Sequence, residues 1–163
     1  MYKRQVLKAQ LFGYTNEKNL MLGTPLAGRN HKDLEDLAGL FINMVALHDE
    51  MAADMTFEEL LASVKTTLLG AYEHQDYPAL NLITDLELDI DPSRNIGFDV
   101  LVVFHNNDQI MDISPELAPH LEGLKVTPYP LVSETSRFDL SFDIFQHEGE
   151  FSVSIEYNTD LFS

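Results

Sequence analysis

The chain of 163 residues contains no cysteine, which excludes disulfide bonds and thiolate chemistry. It also lacks a continuous apolar run of about 18 residues, the length that a membrane-spanning helix needs. The first residues do not show the charged, apolar and small-residue regions of a signal peptide. These absences predict a protein without a membrane partner, and they agree with a cytoplasmic location.

Basic residues are scarce after the first part of the chain. Residues 1–32 hold six basic residues and one acidic residue, whereas residues 33–163 hold four basic and twenty-six acidic residues. The formal net charge is −17. Because so acidic a protein repels phosphate backbones, we expect no nucleic-acid partner.

The first five residues, Met1 to Gln5, resemble a translated sequencing-library adapter in which methionine replaces valine at an alternative start codon. We therefore predict that residues 1–5 are an artefactual leader. An ordinary basic N-terminus stays open as the alternative. The length and the hydrophobic content of 45% suit one domain with its own core, which we assign to residues 6–163.

Helix-like and strand-like segments follow one another along the chain, which predicts an α/β (α+β) fold. Thr56 and Glu59 form a capping box, and Met55 and Leu60 can close a hydrophobic staple around it. The helix that follows has apolar residues on one face at Phe57, Leu60, Leu61, Val64, Leu68 and Tyr72. The other predicted elements are helix Val6–Tyr14, strand Asn19–Leu22, loop Gly23–Arg29, strand Phe41–Leu47, helix Ala79–Leu86, strand Phe98–Phe104, loop Asn106–Pro119, edge strand Leu124–Tyr129 and a hairpin over 138–144 and 151–157.

The segment Phe41–Leu47 is almost wholly apolar, which predicts a strand buried on both faces. Asn43 is the only polar side chain within it. A buried amide without hydrogen-bond partners costs roughly 1–3 kcal/mol. Asn43 therefore either clamps neighbouring backbone or faces a ligand.

The residue types by themselves point to no reaction. The six histidines show no zinc-binding spacing, and no Gly-x-Ser-x-Gly elbow is present. The loop Gly23–Arg29 ends in Gly-Arg-Asn, whereas a phosphate-binding loop ends in Gly-Lys-Ser or Gly-Lys-Thr. The alternating acidic residues of 85–91 lack the glycine and glutamate of a calcium loop, so we interpret them as a solvated edge. His74 and Asp76 could form an acid–base pair, but this spacing at a helix end is common by chance.

Three short motifs occur in an order that is more informative than any of them singly. They are Gly39-Leu40-Phe41-Ile42-Asn43, His74-Gln75-Asp76-Tyr77-Pro78 and Asp91-Pro92-Ser93-Arg94-Asn95. The ordered set resembles the last three core motifs of a nonribosomal peptide synthetase condensation domain, and the resemblance covers residues 6–163. The sequence departs from the family pattern at Met44, Ala79, Leu80 and Ile96.

This resemblance implies a chloramphenicol-acetyltransferase-like fold of two lobes, built on a mixed sheet flanked by helices, with a tunnel between the lobes. Phosphopantetheine arms of two peptidyl carrier proteins enter the tunnel, and the amine on one arm attacks the thioester on the other. Holding the two groups together is a large part of such catalysis. The family assigns a catalytic histidine to His-His-x-x-x-Asp-Gly in the amino-terminal lobe, and no adjacent histidine pair occurs here. We therefore predict a carboxy-terminal lobe that binds no cofactor itself, is inactive alone, and has the missing lobe and carrier proteins as partners.

The resemblance also implies a set of residues that line the tunnel or support its wall without a catalytic role. These residues are Gly39, Phe41, Asn43, His74, Gln75, Asp76, Pro78, Ser93, Arg94 and Asn95. The alternative hypothesis is a non-catalytic half-domain that binds a carrier protein or a partner lobe.

Overall fold

A computed structural model describes residues 3–87, 94–95, 97–105, 134–147 and 149–162. The chain forms two compact units, Met1–Val102 and Val103–Ser163. The predicted loop Asn106–Pro119 and the predicted edge strand Leu124–Tyr129 lie outside the described residues. Among the described residues, no helix has both the length and the apolar character that crossing a membrane requires.

The first unit contains a mixed β-sheet with helices packed beside it. Its elements in chain order are α1 Lys3–Thr15, β1 Asn19–Leu26, a short 3-10 helix Lys32–Leu34, β2 Asn43–Glu50, α2 Phe57–Glu73, α3 Ala79–Asp85 and β3 Val100–His105, whose last residues belong to the second unit. Strand β1 pairs antiparallel with β2, from Asn19 opposite Glu50 to Leu26 opposite Asn43, and parallel with β3, where Gly23 lies opposite Leu101. Helix α2 packs on β2, and α1 packs on α2.

The mixed sheet with flanking helices confirms the predicted fold class. Its core brings together residues that are far apart in the chain. Leu20 of β1, Met51, and Leu60 and Val64 of α2 form a buried cluster. Ala9, Leu11 and Phe12 of α1 and Met55 pack against that cluster. Full burial of one large apolar side chain is worth about 1.5–3 kcal/mol, so this cluster holds the helices on the sheet.

Helix α2 begins as its sequence predicts. The Thr56 hydroxyl accepts a hydrogen bond from the Glu59 N–H, and the Glu59 carboxylate accepts one from the Thr56 N–H. These reciprocal bonds satisfy donors that a helix otherwise leaves unpaired in its first turn. They also hold the pKa of Glu59 below its usual value, because both the backbone and the side chain of Thr56 donate to the carboxylate.

Strands β1 and β2 differ from the prediction. Strand β1 continues to Leu26, so Gly23 and Pro25 lie within it and not in a loop. Strand β2 begins at Asn43 and ends at Glu50, and its second half alternates between exposed and buried residues. The prediction of burial on both faces was therefore wrong. Helix α2 packs on β2, and side chains at alternate positions point to opposite faces, so Leu47 and Asp49 are buried whereas Ala46, His48 and Glu50 are exposed.

The second unit contains the predicted hairpin, with strand β4 at Leu140–His147 and strand β5 at Glu150–Tyr157. The register places Phe142 opposite Ile155 and Ile144 opposite Val153. Gly149 in the turn has a φ of 88°, a backbone conformation that glycine adopts without steric cost. Phe142 and Ile144 are buried, whereas all residues of β5 are exposed.

Candidate functional site

The side chain of Asn43 connects two of the three motifs. Its Nδ2 donates to the carbonyl oxygen of Gln75 at 2.7 Å and to the carbonyl oxygen of Tyr77 at 3.1 Å. Both donors of the amide are therefore used on backbone that lies more than thirty positions later in the chain. We call this arrangement the Asn43 clamp. It supports the clamp interpretation of Asn43 over the ligand-facing one.

The two carbonyl groups are accessible to Asn43 because helix α2 ends immediately before them. Its last residue is Glu73, and the N–H of His74 donates to the carbonyl oxygen of Gly70. The Gln75 side chain donates from Nε2 to the carbonyl oxygen of Tyr72 at 2.9 Å. The N–H of Tyr77 donates to the carbonyl oxygen of His74. The turn between α2 and α3 thus leaves its own carbonyl groups available for a partner from β2.

Pro78 starts the next helix. It occupies the N-cap of α3, directly before Ala79, which is both the predicted and the observed first helical residue, and no side chain caps this end. The Asp76 carboxylate, which the sequence placed near the helix end, accepts a hydrogen bond from Asn30 Nδ2 at 2.8 Å. Asp76 therefore connects the turn to the loop after β1.

Gly39 and Phe41 lie next to each other before β2. A Cβ atom on Gly39 would lie 2.9 Å from the Phe41 ring, so this position has no room for a side chain unless the ring moves. The guanidinium of Arg29 lies over the same Phe41 ring, 4.4 Å from its centroid. The motif therefore has a defined packing arrangement ahead of Asn43.

The remaining predicted residues have different surroundings. The side chain of His74 is exposed. Arg94 forms an ion pair with Asp99, five positions later in the chain. Asn95 lies in a described segment next to Arg94, whereas Ser93 lies outside the described residues. The structure thus brings together the motifs of Asn43 and Gln75.

Electrostatics at the turn favour a structural arrangement. The Tyr77 hydroxyl donates to the Asp85 carboxylate, and this hydrogen bond raises the pKa of Tyr77. In the described part of the chain, no group of three or more histidine and acidic side chains could hold a metal ion. In the described part of the turn, polar side chains form hydrogen bonds with one another and with backbone carbonyl groups.

Sequence reasoning missed a polar network inside the first unit. Lys8 and Asp49 form an ion pair whose side chains are fully buried. Lys8 Nζ also donates to the carbonyl oxygen of Leu47 at 2.9 Å, and Asp49 accepts from the hydroxyls of Ser63 at 3.2 Å and Thr67 at 2.6 Å. Burial lowers the pKa of Lys8, although the carboxylate of Asp49 acts in the opposite direction.

A sequence signal for this network does exist. Leu47, Asp49 and Met51 occupy alternate positions, and all three are buried. Side chains at alternate positions of a strand point to the same face. An aspartate that alternates with buried apolar residues is therefore expected to be buried itself. A buried carboxylate needs a cation or hydrogen-bond donors beside it.

Comparisons with known proteins bear out the family resemblance that the three motifs indicated. A family model described as "Condensation domain" matches residues 5–163. Tyrocidine synthase 3 of Brevibacillus parabrevis is 38% identical over 150 residues, which are 92% of this chain and 2% of that protein. The chain thus spans a very small part of the length of the curated relatives that it matches.

Two solved structures share the fold. A four-domain nonribosomal peptide synthetase bound to AMP and glycine superposes with a TM-score of 0.84 at 22% identity, covering 99% of this chain and 13% of that one. The X-domain in complex with OxyB, from teicoplanin biosynthesis, has a TM-score of 0.72 at 23% identity, covering 94% of this chain and 32% of that one. The family match extends over nearly the whole sequence, and the chain therefore belongs to the condensation-domain family of nonribosomal peptide synthetases.

Proposed function

We propose that this chain is a fragment of the carboxy-terminal lobe of a condensation domain. The intact domain forms a peptide bond between a donor acyl or peptidyl thioester and an acceptor aminoacyl thioester. The observation that carries the proposal is the match of the condensation-domain model to residues 5–163. The Asn43 clamp supports it, because two of the matched motifs are joined in space by hydrogen bonds.

In this function the chain supplies part of a tunnel wall and no reacting group. The Asn43 clamp fixes the spacing between the segment of Phe41 and the turn of Gln75. Such fixed spacing matters because the amine and the thioester must be held in a near-attack arrangement, which can contribute about 7–11 kcal/mol to lowering a barrier. The partners are the rest of the domain and two peptidyl carrier proteins with phosphopantetheine arms, and the setting is cytoplasmic.

One experiment tests both parts of the proposal. The isolated chain is mixed with two loaded carrier proteins, and products are followed by mass spectrometry. In parallel, residues 6–163 replace the matching segment in an active condensation domain of a relative. We expect no peptide from the isolated chain and peptide from the chimera.

The chimera needs its own control. Replacing the second histidine of its His-His-x-x-x-Asp-Gly motif by alanine should abolish product while leaving the chimera folded. Peptide formed by the isolated chain would contradict the proposal. A folded chimera that binds both carriers but makes no peptide would also contradict it.

A second candidate is a half-domain that binds a partner without chemistry. It is favoured by the fold similarity to the X-domain, a domain solved in complex with OxyB. This candidate predicts saturable binding of a carrier protein to the isolated chain in a titration calorimeter. Absence of any heat of binding at high carrier concentration would rule it out.

A further inference from the structure

The loop Gly28-Arg29-Asn30 lies directly after β1, and each of its residues contacts one of the two joined motifs. Gly28 has a φ of 63°, a conformation that disfavours a side chain. A Cβ atom at this position would lie 1.9 Å from the carbonyl oxygen of Phe41. The backbone of the loop is therefore in close contact with the segment that leads to Asn43.

Arg29 makes the second contact. The centre of its guanidinium lies 4.4 Å from the centroid of the Phe41 ring, within the range of a cation–π interaction. The same guanidinium donates to the carbonyl oxygen of Leu34 and, at 3.3 Å, to that of Glu35. Arg29 thus links the Phe41 ring to the far side of its own loop.

Asn30 makes the third contact, and it reaches the other motif. Its Nδ2 donates to Asp76 Oδ1 at 2.8 Å. Asp76 lies between Gln75 and Tyr77, whose carbonyl oxygens both accept from Asn43. Loop 28–30 therefore contacts both segments that the Asn43 clamp joins. It contacts the Phe41–Asn43 segment through Phe41 and the Gln75–Tyr77 turn through Asp76.

We propose that Arg29 and Asn30 are positioning residues, and that loop 28–30 holds the Phe41–Asn43 segment and the Gln75–Tyr77 turn in one arrangement. One hydrogen bond contributes only modestly to the net stability of a protein. Three adjacent residues with contacts to two segments, however, restrict the relative movement of those segments. The importance of this arrangement for a tunnel wall rests on the proposed function, whereas the arrangement itself belongs to this chain.

The test exchanges the donor and the acceptor between positions 30 and 76. Asn30→Asp places two carboxylates opposite each other, and the double variant Asn30→Asp/Asp76→Asn restores one donor and one acceptor in reversed order. Asp76→Asn is the matched control, because the Asn30 donor still meets an amide oxygen. The readout is hydrogen exchange of the Asn43 side-chain amide by NMR, together with the midpoint of global unfolding.

We expect the Asn43 amide to exchange about threefold to tenfold faster in Asn30→Asp, the range that the loss of one net hydrogen bond would give. The double variant and the control should keep the rate within about twofold of the original chain. The global unfolding midpoint of Asn30→Asp should fall only by the amount that the loss of one hydrogen bond implies. An Asn43 amide that exchanges equally fast in all four proteins would overturn the proposal. So would an acceleration in Asn30→Asp that is equal at the Asn43 side-chain amide and at the backbone amides of helix α2, since that indicates global unfolding and no local opening of the clamp.

The readout is an amide within this chain and not the formation of a peptide. Failure of this experiment therefore leaves the proposed condensation function standing. Failure of the chimera experiment likewise leaves the arrangement of loop 28–30 intact.

Discussion

At the residue scale, Asn43 combines two properties that apolar neighbours cannot supply. It lies at the first position of β2, and its amide donates to two carbonyl groups of a distant turn. A side chain of the same size without donors would leave both carbonyl groups with a weaker partner or none. The polar exception in an apolar segment is thus explained by hydrogen bonding.

Asn43→Ala should lower the free energy of unfolding by about 1–3 kcal/mol, because both hydrogen bonds are lost at a partly buried position. Asn43→Asp should destabilise at least as much, since a carboxylate cannot donate to a carbonyl oxygen. Urea unfolding followed by circular dichroism measures both effects. An Asn43→Asp protein as stable as the original would contradict the clamp.

The stability of the chain also depends on the buried ion pair between Lys8 and Asp49. Lys8→Met should lower the free energy of unfolding by about 3–5 kcal/mol, because the fully buried carboxylate of Asp49 would lose its cation. The double variant Lys8→Met/Asp49→Asn should regain part of this loss, as the amide oxygen can still accept from Ser63 and Thr67. Chemical unfolding of both variants gives the comparison. A single variant that loses less than the double variant would contradict the argument.

At the element scale, the stability of the first turn of helix α2 depends on pH through Glu59. Hydrogen bonds from Thr56 hold the pKa of Glu59 below 4.5 in the folded chain. A carboxylate with a lowered folded pKa stabilises the protein above its unfolded pKa, and this contribution is lost as the pH falls through the folded pKa. The capping box should therefore weaken only below about pH 4.5.

Glu59→Gln should remove this pH dependence, because glutamine accepts the same hydrogen bonds but does not titrate. The measurement compares the unfolding midpoint of both proteins at pH 7 and at several values below 4.5. The difference in unfolding midpoint between the original chain and Glu59→Gln should shrink or reverse as the pH falls. Thr56→Ala is the matched control, and it should cost about 1 kcal/mol at pH 7 through the lost N-cap. A constant difference across the whole pH range would count against the capping argument.

At the scale of the whole molecule, the hairpin leaves apolar surface exposed. Alternate positions of a strand share a face, so Phe151, Val153, Ile155 and Tyr157 lie together, and each is about half exposed. Exposed apolar patches of this kind mark surfaces that another chain or segment covers.

The double variant Val153→Thr/Ile155→Thr should bind less of a hydrophobic fluorescent dye than the original chain, with only a small change in stability because both side chains are already exposed. Ser152→Thr/Ser154→Thr on the opposite face is the control, and its dye fluorescence should stay unchanged. The assay is a dye titration on matched protein concentrations. An original chain that binds no dye would refute the prediction.

Local patterns determined much of this protein from the sequence. The capping box and apolar stripe specified α2, and the alternation around Gly149 specified the hairpin, because both depend on neighbours within a few positions. The ordered motifs were sufficient to predict the family, which the match over residues 5–163 confirms. The tunnel-lining role of those residues stays a prediction.

Only the tertiary structure decided which distant residues meet. Pairing with β2 extends β1 through Pro25, and packing of helix α2 on one face of β2 leaves its second half alternating between buried and exposed residues. The Asn43 clamp and the Lys8–Asp49 pair each join segments separated by more than thirty residues. No local rule contains such separations, because side-chain hydrogen bonds depend on distances in space that the packing of helices on the sheet creates.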